Sequence, residues 1–160
     1  MKTIALIACS GSKLLEAKNT PKKRFKAQDL YTGRTFLLAK DKGAQKFHCD
    51  DFYIISAKHH LLDKDKRITY YNVQLKSSVI DHDDNDEKIE TNKAWAEKVL
   101  KQLVEKGFNL KKDKFIIFGG QNYYKNLVKH LNCCTFSFNG KRFLNEDDIK
   151  KPINPNKKGK

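Results

Sequence analysis

The sequence predicts an α/β fold built on a mainly parallel sheet, and three observations predict it. First, three short apolar runs, IALIA at residues 4–8, DFYIIS at 51–56 and KFIIF at 114–118, carry aliphatic or aromatic residues at most positions. That pattern suits strands covered on both faces. Second, each run empties into small or polar residues: Cys9-Ser10-Gly11-Ser12-Lys13, then Ala57-Lys58-His59-His60, then Gly119-Gly120-Gln121-Asn122. Third, segments with helical spacing lie between the runs. Ligands of open α/β sheets bind beyond the carboxyl ends of the strands, so the three polar tips are the first candidates for a site.

The first run also imitates a lipoprotein signal, with Lys2 ahead of Leu6-Ile7-Ala8-Cys9. Its apolar core is shorter than the roughly 7–15 residues a secretory signal needs, so a buried first strand is the expectation. The polar stretch 14–26, broken by Pro21, has no apolar period and is expected to be a mobile excursion beside the site. A helix is expected from a Thr32 N-cap through Phe36, Leu37, Leu38 and Ala39 to a stop near Gly43, which leaves Asp29 and Tyr31 in the turn before it.

After the 51–56 strand, residues 68–75 (ITYYNVQL) alternate in places and are expected to be extended. Residues 77–90 are acidic and poor in apolar side chains, the composition of an exposed loop. Asp81, Asp83 and Asn85 imitate a calcium loop, but Asp86 replaces its glycine and Asn92 its glutamate, so no metal site is expected. From an N-cap at Thr91, Trp95, Val99, Leu100, Leu103 and Val104 share one helical face, and Gly107 supplies the stop. A second helix over 122–131 would turn Tyr124, Leu127, Val128 and Leu131 inward. Residues 134–138 read as a fourth strand, with Asn139-Gly140 as a hairpin turn and 142–144 pairing back.

The chain has 160 residues, which fits one domain, expected at residues 1–150 and followed by a flexible basic tail at 151–160. Its formal net charge is +14, spread along the chain with clusters at Lys22, Lys23, Arg24 and Lys26, at Lys111, Lys112 and Lys114, and at Lys150, Lys151, Lys157, Lys158 and Lys160. Such a surface attracts polyanions, nucleic acid first; a generic lysine-rich surface is the competing explanation. Cys9, Cys49, Cys133 and Cys134 lack metal-ligand spacing, and two are adjacent, which favours reduced thiols in a cytoplasm over a disulfide framework. No run is long enough for a membrane span, no P-loop or dinucleotide fingerprint is present, and no cofactor is expected.

Three strand tips and a right-handed crossover would bring Cys9 to Lys13, Lys58 to His60, Gly119, Gly120, Asp29 and Tyr31 to one edge of the sheet. The small loop residues Cys9, Ser10, Gly11 and Ser12, followed by Lys13, could hold an anion against exposed amides. Asp29, read as partly buried, could orient water or stabilise a cationic transition state, unless it is simply a turn residue. His59 or His60 could donate to a leaving base, and chemistry alone does not rank the two. Tyr31 and Tyr71 offer faces for a base to stack on. Cys9 invites a nucleophile reading, but the phosphatase loop with its trailing Arg is absent, and small buried cysteines are usually inert.

These residues resemble a bacterial and phage domain family of unknown function. The resemblance is carried by Cys9-Ser10-Gly11-Ser12-Lys13, Ala27-Gln28-Asp29-Leu30-Tyr31, Ser56-Ala57-Lys58-His59, Tyr71 and Gly120-Gln121-Asn122-Tyr123, over about residues 2–131. The chain has His60 where that pattern has Gly and Tyr70 where it has Pro. The family is in turn similar to uracil-DNA-glycosylase-like domains, including one in an archaeal enzyme that remodels a deazaguanine in transfer RNA, whose Cys-x-x-x-Lys motif Cys9 and Lys13 match. The resemblance implies a three-layer α/β/α sandwich and chemistry on a nucleobase. The expectation is therefore a nucleic-acid-directed enzyme that cleaves a glycosidic bond or modifies a base, with Asp29, Lys58 and His59 as its catalytic residues. Cys9, Ser10, Gly11, Ser12, Lys13, Tyr31, Tyr71, Gly119, Gly120 and Tyr123 would hold the substrate. The alternatives are a non-catalytic nucleic-acid-binding module and a nucleotide sensor.

Overall fold

The computed structural model describes residues 1–75, 78–81 and 88–136. The hairpin expected at Asn139-Gly140, its returning strand at 142–144, the basic tail at 151–160 and most of the calcium-like stretch lie outside the described residues.

Strand β1 (Thr3–Ala8) buries Ile4, Ala5, Leu6 and Ile7, which is why the run carries no polar alternation. The stretch expected to be a mobile excursion is structured instead. It holds a short helix α1 (Leu15–Asn19), whose Ala17 is fully buried, and a two-residue strand β2 (Phe25–Lys26). Between them the Lys23 amide donates to Thr20 O at 2.9 Å, closing a turn with Pro21 at its second position, where the ring's fixed φ fits. With so few buried apolar residues in the stretch, no helical or strand period shows in the sequence.

Asp29 lies on a separate short helix, α2 (Ala27–Leu30), not in a turn. The expected helix then begins one residue later than read, with Gly33 and not Thr32 as N-cap, as α3 (Arg34–Leu38). Gly43 does not stop it. A π-helical stretch (Ala39–Gly43) runs on into α4 (Ala44–Lys46), and Gly43 is buried where a Cβ would come within 2.6 Å of the Phe118 ring.

Strand β3 (Asp51–Ser56) turns through residues 57–59 into β4 (His60–Asp63), which folds back antiparallel on it with Ile54 opposite Leu62. The extended segment after it divides into β5 (Arg67–Ile68), which pairs with β2, and β6 (Val73–Leu75). The acidic stretch read as a loop contributes β7 (Ser78–Asp81) and β8 (Lys88–Thr91), so that β6, β7 and β8 form a small antiparallel sheet. Val79, Ile80 and Ile89 are β-branched and favour strands even in an acidic setting.

Helix α5 (Asn92–Glu105) follows the sequence pattern closely. Thr91 caps it by accepting from the Ala94 amide at 3.1 Å, Trp95, Ala96, Val99 and Leu103 are buried, and Gly107 takes φ +91° just beyond the end. Val104, expected on the same face, is 55% exposed. Strand β9 (Lys114–Phe118) leads into α6 (Gln121–Tyr124), shorter than the helix expected over 122–131, though Leu127 and Leu131 are buried as expected. The last described element is β10 (Cys133–Phe136).

The main sheet has the order β10-β9-β1-β3-β4, parallel except for β4. From β1 the chain steps one way to β3 and β4, then returns past β1 to β9 and continues outward to β10. The strand order reverses between β1 and β9, and that reversal positions the site. No helix among the described residues is long and apolar enough to cross a membrane.

Candidate site at the carboxyl ends of the central strands

The tips of β1 and β9 meet at the reversal point. Gly119 is packed so closely on β1 that a Cβ there would lie 2.8 Å from that of Ala8. This approach lets the Cys9 sulfur reach the Tyr123 hydroxyl across the gap, at 3.3 Å. The Cys9 amide donates to Ile55 O at 3.0 Å, which ties the same loop to β3. The loop then turns on itself. The Ser10 hydroxyl donates to Ser12 O at 2.6 Å and accepts from the Gly33 amide at 3.1 Å, and the Thr32 amide donates to Ser12 O at 3.0 Å. A Cβ at Gly33 would stand 2.4 Å from that of Ser10, so this helix start requires glycine.

Beneath the loop lies a chain of buried hydroxyls. The Tyr31 and Tyr71 hydroxyls are 2.5 Å apart, Tyr71 is 2.8 Å from Ser56 Oγ, and Ser56 Oγ also accepts from the His59 amide at 3.1 Å. Trp95 Nε1 donates to Ser56 O at 2.8 Å, so α5 anchors the same point. Tyr31 and Tyr71 are each 1% exposed and Ser56 is fully buried. Burial first, and then the charge of a Cys9 thiolate, push the Tyr31, Tyr71 and Tyr123 phenols well above their usual range.

Two lysines and a histidine surround Tyr71. Lys13 Nζ is 4.5 Å from the centre of its ring and 5.8 Å from those of Tyr31 and Tyr70. Lys58 Nζ is 5.9 Å from the Tyr71 ring, and the His59 imidazole meets it edge-on at 5.1 Å and 83°. His60 takes φ 61°, the left-handed region that favours glycine.

The structure thus brings together Cys9, Ser10, Ser12, Lys13, Tyr31, Lys58, His59, Tyr71, Gly119 and Tyr123. Gly11 is exposed at the loop's turn, and Gly120 is the exposed N-cap of α6. Two expectations need correction. Asp29 is exposed, not partly buried: Ala27 and Leu30 take the inward side of α2 and leave the carboxylate facing water. Tyr31 and Tyr71 cannot offer faces for a base to stack on, because both rings are covered, Tyr71 by Lys13 and His59 and Tyr31 by Phe36 at 5.2 Å. Ser56, the hub of the hydroxyl chain, stands in the Ser56-Ala57-Lys58-His59 motif but has no site role in the sequence analysis. Its signal is a serine closing an otherwise apolar buried strand. Among the described residues, no group of three or more His, Cys, Asp or Glu side chains could hold a metal ion.

No curated protein and no solved structure matches the chain. A family model does match, over residues 4–141, and its span takes in the Cys9 loop, Tyr31, the Lys58-His59 tip, Tyr71 and Tyr123. The chain belongs to this family, the family of unknown function DUF6884.

Proposed function

We propose that the chain acts on a nucleobase of a nucleic acid at the rim where β1, β3 and β9 end, by cleaving the glycosidic bond or modifying the base. The observation that carries this reading is the convergence on that rim of Cys9, Tyr123, Lys13, Lys58 and His59 from three separate strand tips. The net charge of +14 adds to it by favouring polyanionic partners. The sheet order supports the three-layer, glycosylase-like form of the fold. Right-handed crossovers would set α1 to α4 on one face of the sheet and α5 and α6 on the other.

In this reading His59 donates a proton to the departing base and Lys58 stabilises charge beside it. Tyr31, Tyr71 and Ser56 serve as the rigid support of that pair. The Tyr123 hydroxyl, kept protonated by burial, holds the Cys9 sulfur in place. The test is to incubate the protein with modified and unmodified DNA and RNA and to search for released or altered base by mass spectrometry. Product that disappears in His59→Ala but persists in Lys22→Ala is the expected result. No product on any substrate from the wild-type chain would overturn the catalytic reading.

One observation favours a second reading, a nucleic-acid-binding module without chemistry. Asp29, the carboxylate expected to serve the reaction, stands exposed on the outer side of α2. This reading predicts salt-sensitive binding that is unchanged by Asp29→Ala and by His59→Ala.

A further inference from the structure

We infer that the two-stranded ribbon of β2 and β5 carries a basic outer face that grips the sugar-phosphate backbone of a nucleic acid strand through Arg24, Lys26, Lys66 and Arg67. The inference rests on the reading above only in taking nucleic acid as the partner. The sequence holds these residues in two separate stretches, and the fold joins them into one surface. Phe25 pairs with Ile68 and Lys26 with Arg67 in antiparallel register. Directly opposed residues of a ribbon project to the same face, and neighbours along a strand to opposite faces. Ile68 is buried and Phe25 packs against the core, so Lys26 and Arg67 share the outer face, where both are exposed. Arg24 and Lys66 flank the pair and are exposed too. The Ala27 amide donates to Lys66 O at 2.8 Å and the Gln28 amide to Lys64 O at 2.9 Å, which fixes the two segments side by side.

Like charges directly opposite each other on a ribbon repel and cost stability. The acids of the neighbouring segments are engaged elsewhere: Glu16 with Lys23, Asp51 with Lys64, Asp63 with Lys106, and Asp65 with the Gln28 side chain. Among the described residues no acid forms an ion pair with Arg24, Lys26, Lys66 or Arg67. The exposed Asp29 on α2 offsets one of these four charges at most. A phosphodiester backbone supplies anions at a regular spacing, and neutralising them releases counterions. The two arginines add forked donors that suit phosphate oxygens. An anionic membrane would call for an apolar side chain to insert, and the exposed side chains of the ribbon are all charged. Strand β2 leads through α2 to Tyr31, and β5 leads to Tyr70 and Tyr71, so both strands run on into the site. Phosphate contacts on the ribbon therefore set the register of a strand whose bases are offered at the rim.

The test uses the full chain with two probes, a labelled single-stranded oligothymidylate and vesicles of phosphatidylcholine and phosphatidylserine. Affinity is measured for wild type, the double variant Lys26→Gln/Arg67→Gln, the swap Lys26→Arg/Arg67→Lys, and a control of equal charge in another cluster, Lys111→Gln/Lys112→Gln. The ribbon variant should flatten the dependence of log K on log salt by about 1.4, two contacts at about 0.7 each, and weaken oligothymidylate about 25-fold at about 0.1 M salt. The swap and the control should each stay within about twofold of wild type. Thermal unfolding without nucleic acid should show the ribbon variant at least as stable as wild type, because it removes a repulsion and no ion pair. Equal losses in the ribbon variant and the control would mean a diffuse cationic surface and overturn the proposal. So would a wild type that binds the vesicles and not the oligothymidylate, one that binds neither, or a ribbon variant that binds as wild type does. Base chemistry that proceeds unchanged in a tight-binding ribbon variant would remove the ribbon and leave the reading above. Ribbon-dependent binding with no base chemistry from the wild type would remove the enzymatic reading and leave the ribbon.

Discussion

Tyr71→Phe removes one oxygen from the centre of the buried hydroxyl chain and leaves the ring in place. Tyr71 bonds to Ser56 Oγ at 2.8 Å and to the Tyr31 hydroxyl at 2.5 Å, and all three side chains are 1% exposed or less. Each lost bond is worth about 1 kcal/mol, and the Tyr31 hydroxyl is left with one partner fewer where water does not reach, so the expected loss is about 2–3 kcal/mol. For a chain of this size that lowers Tm by roughly 4–12 °C. Urea unfolding followed by circular dichroism measures it directly. The companion Tyr31→Phe should cost about 1–2 kcal/mol alone, while the double variant should cost less than the sum of the two singles, because it leaves neither hydroxyl behind. A Tyr71→Phe variant as stable as wild type would refute the reasoning. Strict additivity in the cycle would show that the two hydroxyls do not act on each other.

The same tyrosines predict a loss of stability in alkali. Tyr31, Tyr71 and Tyr123 keep their protons in the folded state beyond pH 10, where the unfolded chain loses them, so the folded state binds more protons and stability falls as pH rises above about 10. The slope reaches up to about 1.4 kcal/mol per pH unit for each tyrosine, and urea midpoints at pH 9 and pH 11 should differ accordingly; six tyrosines all titrating near pH 10 in the native protein would contradict it. Gly119→Ala forces a Cβ to within 2.8 Å of Ala8 and should cost about 1–3 kcal/mol by parting the tips of β1 and β9, with unchanged thermal unfolding as the contrary result. His60→Gly relieves a left-handed histidine at φ 61° and should raise stability by up to about 1 kcal/mol, whereas a loss on the same scale would mean that the imidazole is itself structural.

What the sequence made legible follows from how much each element buries. The strands β1, β3 and β9 and the helix α5 place apolar side chains at nearly every inward position, so their periods survive any context. Residues 14–26 pack only Leu14, Ala17 and Phe25 against the core and turn at Pro21, which is too sparse for a pattern. Strands β7 and β8 were hidden by acidic composition, since their pairing is with each other and with β6, away from the main sheet. At the site, the convergence of the three tips was readable from strand ends alone, because parallel topology leaves them on one rim. The roles of individual side chains were less so. Asp29 faces outward because α2 has its inner side filled by Ala27 and Leu30, and the Tyr31 and Tyr71 rings are buried by contacts with Phe36, Lys13 and His59 that no local spacing encodes.

The proposed function has nucleic acid meet this chain at the rim between β1 and β9. Photo-crosslinking a single-stranded oligonucleotide that carries 5-bromodeoxyuridine, followed by peptide mass spectrometry, asks this most directly. Adducts on Cys9, Lys13, Lys58, His59 or Tyr123 are the predicted result. Adducts confined to the Lys22 to Lys26 cluster and the basic carboxyl-terminal segment, with none on the rim, would contradict it.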